Sequence, residues 1–387
     1  MGQTTVTVIT DGRRSEYLFM SRFALRRDRL RKVLRSADLP ALLVSQEKNV
    51  TYLTGFTGEA SWLLLSMNDA IVLSDGRFNE QLQRECPDLD AEIRFPPTTL
   101  PELVHRVLSR GKWSRLAFEA DDLTVSTHTA LKSQCPGQEW VPSQGLVESL
   151  REVKDAEEQA AIRRAIDVAE RAFGVVRASL LGSQTEKDLA DALDHQIRRF
   201  GGAGCCFEPI VGVGPNGALP HYRAGDTRLS SSPFVLIDWG ARVAGYVSDL
   251  TRVLVTGRIP PKLERLYGVV LTAQLRAIEQ IRPGALLENI DAAARWVIEK
   301  AGWGANFTHG LGHGIGLAVH EAPRLAVRQT RALKAGMVIT VEPGIYLPGW
   351  GGIRIEDDVL VTRNGHEVLT SVPKSFDECV VQIVSTL

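Results

Sequence analysis

Four acidic residues interrupt runs that are otherwise apolar. Asp238 ends "FVLID", Asp249 opens "DLTRVLV", Glu342 follows "VITV" and Glu356 follows "GIRI". A lone ionised carboxylate inside an apolar strand is costly, and four are prohibitive unless they bind a cation or take up protons. Their spacing sorts them into pairs. Partners in an antiparallel hairpin share one midpoint, so Asp238 and Asp249 centre in "ARVAGY", where Gly245 can turn. Glu342 and Glu356 centre on residue 349 in "LPGWGG", a stronger turn signal. Each register places the two acids directly cross-strand, with Cβ atoms about 4.5–5.5 Å apart. Like charges that close repel, and one or two divalent cations between them resolve the repulsion.

Histidines supply the second half of the pattern. The chain holds eight, and His309, His313 and His320 fall within "FTHGLGHGIGLAVHEAP". His309 and His313 are four apart, a zinc-pair spacing on a helix, but Gly310, Gly312, Gly314 and Gly316 argue against a helix there. His313 can add one nitrogen to a site otherwise made of oxygens. Four carboxylates and one imidazole suit Mn²⁺, with Co²⁺, Zn²⁺ or Fe²⁺ as alternatives. Any one of these acids alone is more often a salt-bridged residue; their coincidence in about the last 150 residues is what points to a metal site. "GVGPNG" matches the G-x-G-x-x-G dinucleotide pattern, but Pro220 and Gly225 follow where a helix should open. That loop is expected to present His221 to a cleft instead.

The elements that must position these groups fall into two parts. Residues 1–20 read as a loose arm, and 21–145 as an α/β domain with short apolar strands such as "ALLVS", "SWLLLS" and "AIVLSD". "YLTGFTG" reads as a glycine-punctuated loop, and "CPGQEWVPSQG" as a linker. Residues 146–387 open with a long amphipathic helix and a second helix capped by Thr185. An antiparallel sheet with helices on one side follows, an α+β domain.

Composition excludes other classes. A net charge of -1 gives no footprint for nucleic acid or an anionic membrane. The basic run "RRDRLRKVLR" carries an apolar stripe at helical spacing and reads as a solvated helix face. Five cysteines without metal or disulfide spacing, no run long enough to span a membrane and no signal-like amino terminus together predict a cytoplasmic protein.

The blocks "LIDWGARVAGYVSDLTR", "HGLGHGIGLAVHEAP", "ITVEPGIY" and "GGIRIEDD", in this order, resemble the pita-bread metallopeptidases, and "YLTGFTG" and "SDGRF" resemble the amino-terminal domain of their proline-peptidase branch. The resemblance spans about residues 22–385. It implies a creatinase-type amino-terminal domain, a pita-bread catalytic domain and two divalent metal ions. Asp238, Asp249, His313, Glu342 and Glu356 would be the ligands, with Asp249 and Glu356 bridging. Glu342 would also move the proton of the attacking water, while His221, His309 and His320 orient the substrate and Arg354 stands beside the metals. The implied activity is cleavage of Xaa-Pro bonds in small peptides, aminopeptidase P-like first and prolidase-like second, by a homodimer. A small-amide hydrolase on the same fold is the further alternative. The family commonly has Asp or Glu where Ala318 stands, and Trp350 in "PGWGG" is expected to lie near the site and shape substrate choice.

Overall fold

The computed structural model describes residues 21–111 and 113–383, so the arm expected over residues 1–20 lies outside the described residues. The chain divides after Arg151 into two units, whereas composition placed the change at 145/146. Among the described residues no helix is long and apolar enough to cross a membrane.

The first unit is a six-stranded mixed sheet with helices between strands. In chain order it runs α1 (Arg22–Ser36), β1 (Ala41–Val44), α2 (Glu47–Thr54), β2 (Trp62–Ser66), β3 (Ala70–Asp75), α3 (Asn79–Glu85) and β4 (Asp90–Arg94). Then come α4 (Leu100–Arg110), β5 (Arg115–Glu119), α5 (Val125–Gln134), β6 (Glu139–Ser143) and α6 (Glu148–Arg151). The strand order is β4-β3-β2-β1-β5-β6. Three local readings are corrected here. The presumed linker contains β6, an edge strand, where Pro142 costs little because one side of the strand needs no ladder bond. Tyr52 to Thr54, taken as loop, form the end of α2, which stops at Gly55 with φ +83°. The basic face of α1 is not simply solvated. Arg26 and Arg27 are buried, and each donates at 3.1 Å to a carbonyl in the last turn of α2, Tyr52 and Leu53 respectively. They satisfy acceptors that a helix end leaves open.

The second unit follows as α7 (Ala156–Ala178), α8 (Glu186–Arg199), β7 (Ile210–Val213), β8 (Phe234–Trp239), β9 (Arg242–Val243), β10 (Tyr246–Val247), β11 (Leu250–Val255), α9 (Pro261–Ile278) and α10 (Leu287–Lys300). It closes with β12 (Gly312–Gly314), β13 (Glu321–Leu325), β14 (Val338–Val341), β15 (Gly344–Leu347), β16 (Gly351–Arg354), β17 (Asp357–Val361), β18 (His366–Val368) and α11 (Phe376–Cys379). Capping boxes start α7 (Asp155 with Glu158) and α8 (Thr185 with Asp188), the latter as the sequence predicts. The sheets are antiparallel: β11-β8-β7, β13-β12-β14-β17-β18 and the hairpin β15-β16, with a bridge between Thr251 and Glu356 linking the first to the second.

Helices do not cover one side only. Val235, Ile237 and Trp239 of β8 pack in a core with α7 and α8, while Phe234 and Leu236 enter the core built on α9 and α10. Both faces of β8 are therefore buried, which is why it reads as an unbroken apolar run. Trp239 anchors the first core, stacked on Phe173 at 4.2 Å and donating to the Ala169 carbonyl at 3.0 Å.

In the first unit, Glu119 is a buried acid that accepts from the Ser45 and Gln46 backbones and from Asn49. Burial, with Glu148 nearby, pushes its carboxyl from 4.5 up to about 7 against those donors. The fold thus holds a proton that the unfolded chain releases near the ordinary value. The sign follows from linkage: this contribution is full below about pH 4.5 and is lost as pH rises through 7. Calorimetric unfolding of Glu119→Gln should show a flatter dependence between pH 5 and 8 than wild type; parallel profiles would rule the assignment out.

Candidate metal centre

The register decides how the acids meet. The turn at Ala244–Gly245 has both residues at positive φ (+49° and +84°), which fixes a two-residue loop pairing Val243 with Tyr246. Extended along the ladder, it sets Asp238 opposite Thr251, not opposite Asp249. The expected Asp238–Asp249 pair is therefore offset by two residues, leaving Asp249 on the same strand face as Thr251. The other pair keeps its midpoint: Gly344 pairs with Arg354 on one side and Val341 with Asp357 on the other. Glu342 and Glu356 lie in the gap between these two ladders. Each sends its N–H elsewhere, Glu342 to the Leu311 carbonyl at 2.8 Å and Glu356 to that of Thr251 at 3.2 Å.

One cleft of ≈ 840 Å³ is lined by all nine residues singled out above: Asp238, Asp249, His313, Glu342, Glu356, His221, His309, His320 and Arg354. Asp249, His313 and Glu356 each offer a ligand atom within 4.8 Å of the others. His313 Nε2 lies 3.3 Å from Glu342 Oε1 and 3.8 Å from Asp249 Oδ2. Its Nδ1 faces the Gly314 carbonyl at 3.1 Å, which must accept, so Nε2 is the nitrogen turned towards the acids, and a bound cation there would take the place of the proton it shares with Glu342. Glycine is required around it: a Cβ on Gly312 would lie 2.1 Å from the Thr340 carbonyl oxygen. The residues form short strands, not a helix, as the glycines predict.

The donor set fits a divalent cation. Burial, then Glu356, pushes the Asp249 carboxyl well above the usual range; burial, then Glu342, does the same to Glu356. Burial also raises Asp238, against the opposing charge of Arg354. Its Oδ1 is buried with no protein partner. Glu342 is the exception: despite burial, the hydrogen bond and charge of His313 bring it down to about 2. A cation supplies what these acids lack, a counter-charge and a partner for an orphaned oxygen.

A network that sequence reasoning missed surrounds them. Arg354 donates to Asp238 Oδ2 at 2.6 Å, to the Tyr346 hydroxyl at 2.9 Å and to Thr251 Oγ1 at 3.0 Å. The Thr251 hydroxyl therefore gives its proton to Glu356 Oε2 at 2.6 Å. Thr340 similarly accepts from the His313 N–H and donates to Glu342. The available signal was position: Thr251 is two residues beyond Asp249, and Thr340 two before Glu342, so each shares a strand face with an acid. His309 Nδ1 faces the Gly310 carbonyl at 2.7 Å, so its Nε2 accepts from Tyr346 at 2.9 Å. Burial lowers its pKa and keeps it neutral, consistent with that pattern. The His320 ring meets His313 edge-on at 4.4 Å, and His221 is exposed on the cleft rim.

One expectation changes. Trp350 is not among the cleft residues; it packs on Phe234 at 5.1 Å, with Lys262 over its ring. Cys205 and Cys206 also lie outside the cleft lining, and burial pushes Cys205 up to about 12 and Cys206 well up, so both stay thiols. "GVGPNG" forms a strand end and a 3-10 turn, with no helix for a pyrophosphate. Its glycines serve close packing: a Cβ on Gly352 of β16 would lie 1.9 Å from the Gly217 carbonyl oxygen. Thr251→Val would leave a buried Arg354 N–H and a Glu356 oxygen without partners, at a cost of about 1–3 kcal/mol in denaturant unfolding. Thr251→Ser should recover most of it. A Thr251→Val variant as stable as wild type, or a larger loss in Thr251→Ser than in Thr251→Val, would shift the effect from the hydroxyl to the methyl group.

Known proteins place this geometry. The profile of metallopeptidase family M24 matches residues 160–363, and that of the creatinase/prolidase N-terminal domain matches residues 26–153. The uncharacterized peptidase YqhT of Bacillus subtilis is 35% identical over 349 residues, 90% of this chain and 98% of its own. Two solved structures superpose closely. The Xaa-Pro dipeptidase from Bacillus anthracis has TM-score 0.88 and 35% identity, covering 94% of this chain and 100% of that one. The X-Pro aminopeptidase from Thermotoga maritima has TM-score 0.82 and 32% identity, covering 91% and 100%. With a creatinase-type first domain, and a pita-bread second domain that itself holds the acid-and-histidine cleft, the chain belongs to metallopeptidase family M24.

Proposed function

We propose that the protein is a metal-dependent Xaa-Pro peptidase, that Asp238, Asp249, His313, Glu342 and Glu356 hold two divalent cations, with Mn²⁺ the favoured ion, and that Xaa-Pro dipeptides are its preferred substrates. When bound, such cations would polarise the scissile carbonyl and bring the pKa of an attacking water towards neutrality. The chain's own residues do the rest. Glu342, kept ionised beside His313, takes the proton of the water and returns it to the departing proline nitrogen. That nitrogen needs it, because an amine expelled from a tertiary amide leaves poorly unprotonated. His320 and His221 face the cleft and orient the peptide. His309, with both nitrogens engaged, holds Tyr346 and through it Arg354.

The observation that carries the dipeptide preference is Arg324. It lies opposite His313 in the β12–β13 ladder and lines the cleft. Arg354 is bound to Asp238, and Arg223 faces Glu208 at 3.6 Å. Among the described residues no ion pair engages Arg324, which leaves it available for the carboxylate of a carboxy-terminal proline. The Bacillus anthracis dipeptidase likeness supports the same choice. The family resemblance of the sequence put aminopeptidase P-like cleavage of short peptides first and prolidase-like cleavage second.

The test compares Ala-Pro, Ala-Pro-Ala and Ala-Ala-Ala, with Mn²⁺ added and after chelation. Metal-dependent cleavage confined to proline substrates, fastest on the dipeptide, is expected; proline-independent cleavage would sink the reading. Arg324→Met should raise KM for Ala-Pro about tenfold to a hundredfold, the worth of a charged hydrogen bond. Ala-Pro amide, which lacks the charge, should be affected far less. Equal effects on both would remove Arg324 from carboxylate recognition.

A further inference from the structure

Behind the two glutamates lies a polar group where none is expected. Gln274 of α9 is fully buried, amid the apolar residues of the core built on α9 and α10. Its amide is nevertheless engaged at both ends. Nε2 donates to the Val341 carbonyl at 3.2 Å and to Asp357 Oδ2 at 3.0 Å, while Oε1 accepts from Lys374 Nζ at 2.9 Å. Because the lysine can only donate, the amide orientation is fixed.

The two acceptors are not arbitrary. Val341 precedes Glu342, Asp357 follows Glu356, and the two are the last hydrogen-bonded partners of the β14–β17 ladder before the strands part. Beyond them Pro343 has no N–H, and the Glu342 and Glu356 amides bond to other segments. No ladder bond therefore spans the glutamates themselves. Asp357 is additionally gripped by Arg252 at 2.7 Å, and Arg252 reaches the Glu356 carbonyl at 2.6 Å.

The geometry points to Gln274 as a positioning residue for the metal centre: one side-chain amide ties the strand end before Glu342 to the one after Glu356, and so fixes the separation at which the two carboxylates enter the cleft. This rests on reading Glu342 and Glu356 as metal ligands. Gln274 touches neither of them and acts only through Val341 and Asp357.

The test is calorimetric titration of the chelator-stripped full chain with Mn²⁺, alongside thermal unfolding without metal. Gln274→Met keeps the side-chain length and removes both donors. Tyr267→Phe, on the same helix, removes a buried hydroxyl bonded to the Lys374 carbonyl and serves as a stability control. Gln274→Met should weaken Mn²⁺ binding about tenfold, the lower end for groups that orient ligands. Tyr267→Phe should lower the melting temperature while binding Mn²⁺ as wild type does. If Gln274→Met does not fold, Gln274→Glu, which keeps Oε1 for Lys374 and gives up the Nε2 donors, carries the test with the same expected loss. Wild-type affinity in whichever Gln274 variant folds overturns the proposal, and so does an equal loss in Tyr267→Phe. If the wild-type chain itself takes up no Mn²⁺, the ligand reading and this proposal fall together; if it binds and the variants match it, only the role of Gln274 falls.

Discussion

Everything in the second unit is arranged around one unfavourable fact, the mutual repulsion of Asp238, Asp249, Glu342 and Glu356 in a buried place. The protein answers part of it: Arg354 sits on Asp238, and His313 sits on Glu342. It leaves the rest unanswered, with Asp249 and Glu356 driven towards protonation and one Asp238 oxygen without a partner. A centre fully neutralised by protein cations would have no use for a metal; one with no help at all would not fold around it. The divided arrangement suits a fold that accepts a cation after it has formed.

Much of this was legible because strands obey arithmetic. The midpoint at residue 349 held, since the loop between β15 and β16 is symmetrical about it. The midpoint assigned to the aspartates failed by one residue because two adjacent positive-φ residues, Ala244 and Gly245, fix the loop centre between them. A non-glycine residue in that conformation is not announced by its side chain. The glycines of the histidine loop were readable for the opposite reason: so many together leave few alternatives to close backbone contact.

What stayed hidden were residues whose chemistry is ordinary. Thr251, Thr340 and Tyr346 look like strand formers, and only the fold shows that their hydroxyls pass protons to Glu356, Glu342 and His309. Arg26 and Arg27 were misread similarly, since a basic helix face looks solvated until another helix presents its carbonyl end. Composition also misled at Cys135 to Gly145, where turn-rich residues conceal an edge strand. Pattern finds groups that are out of place; it does not find common groups put to uncommon use.

The contact between Gly217 and Gly352 reaches further than packing. Gly217 lies in the turn leading to His221, and Gly352 in the strand that ends at Arg354. With no room for even one methyl group between them, rim and floor of the cleft form a single mechanical piece. A shift of one is then a shift of the other, so the turn that leads to His221 keeps its place relative to the strand that carries Arg354. What such a joint supplies is preorganisation, geometry settled during folding that needs no ordering later.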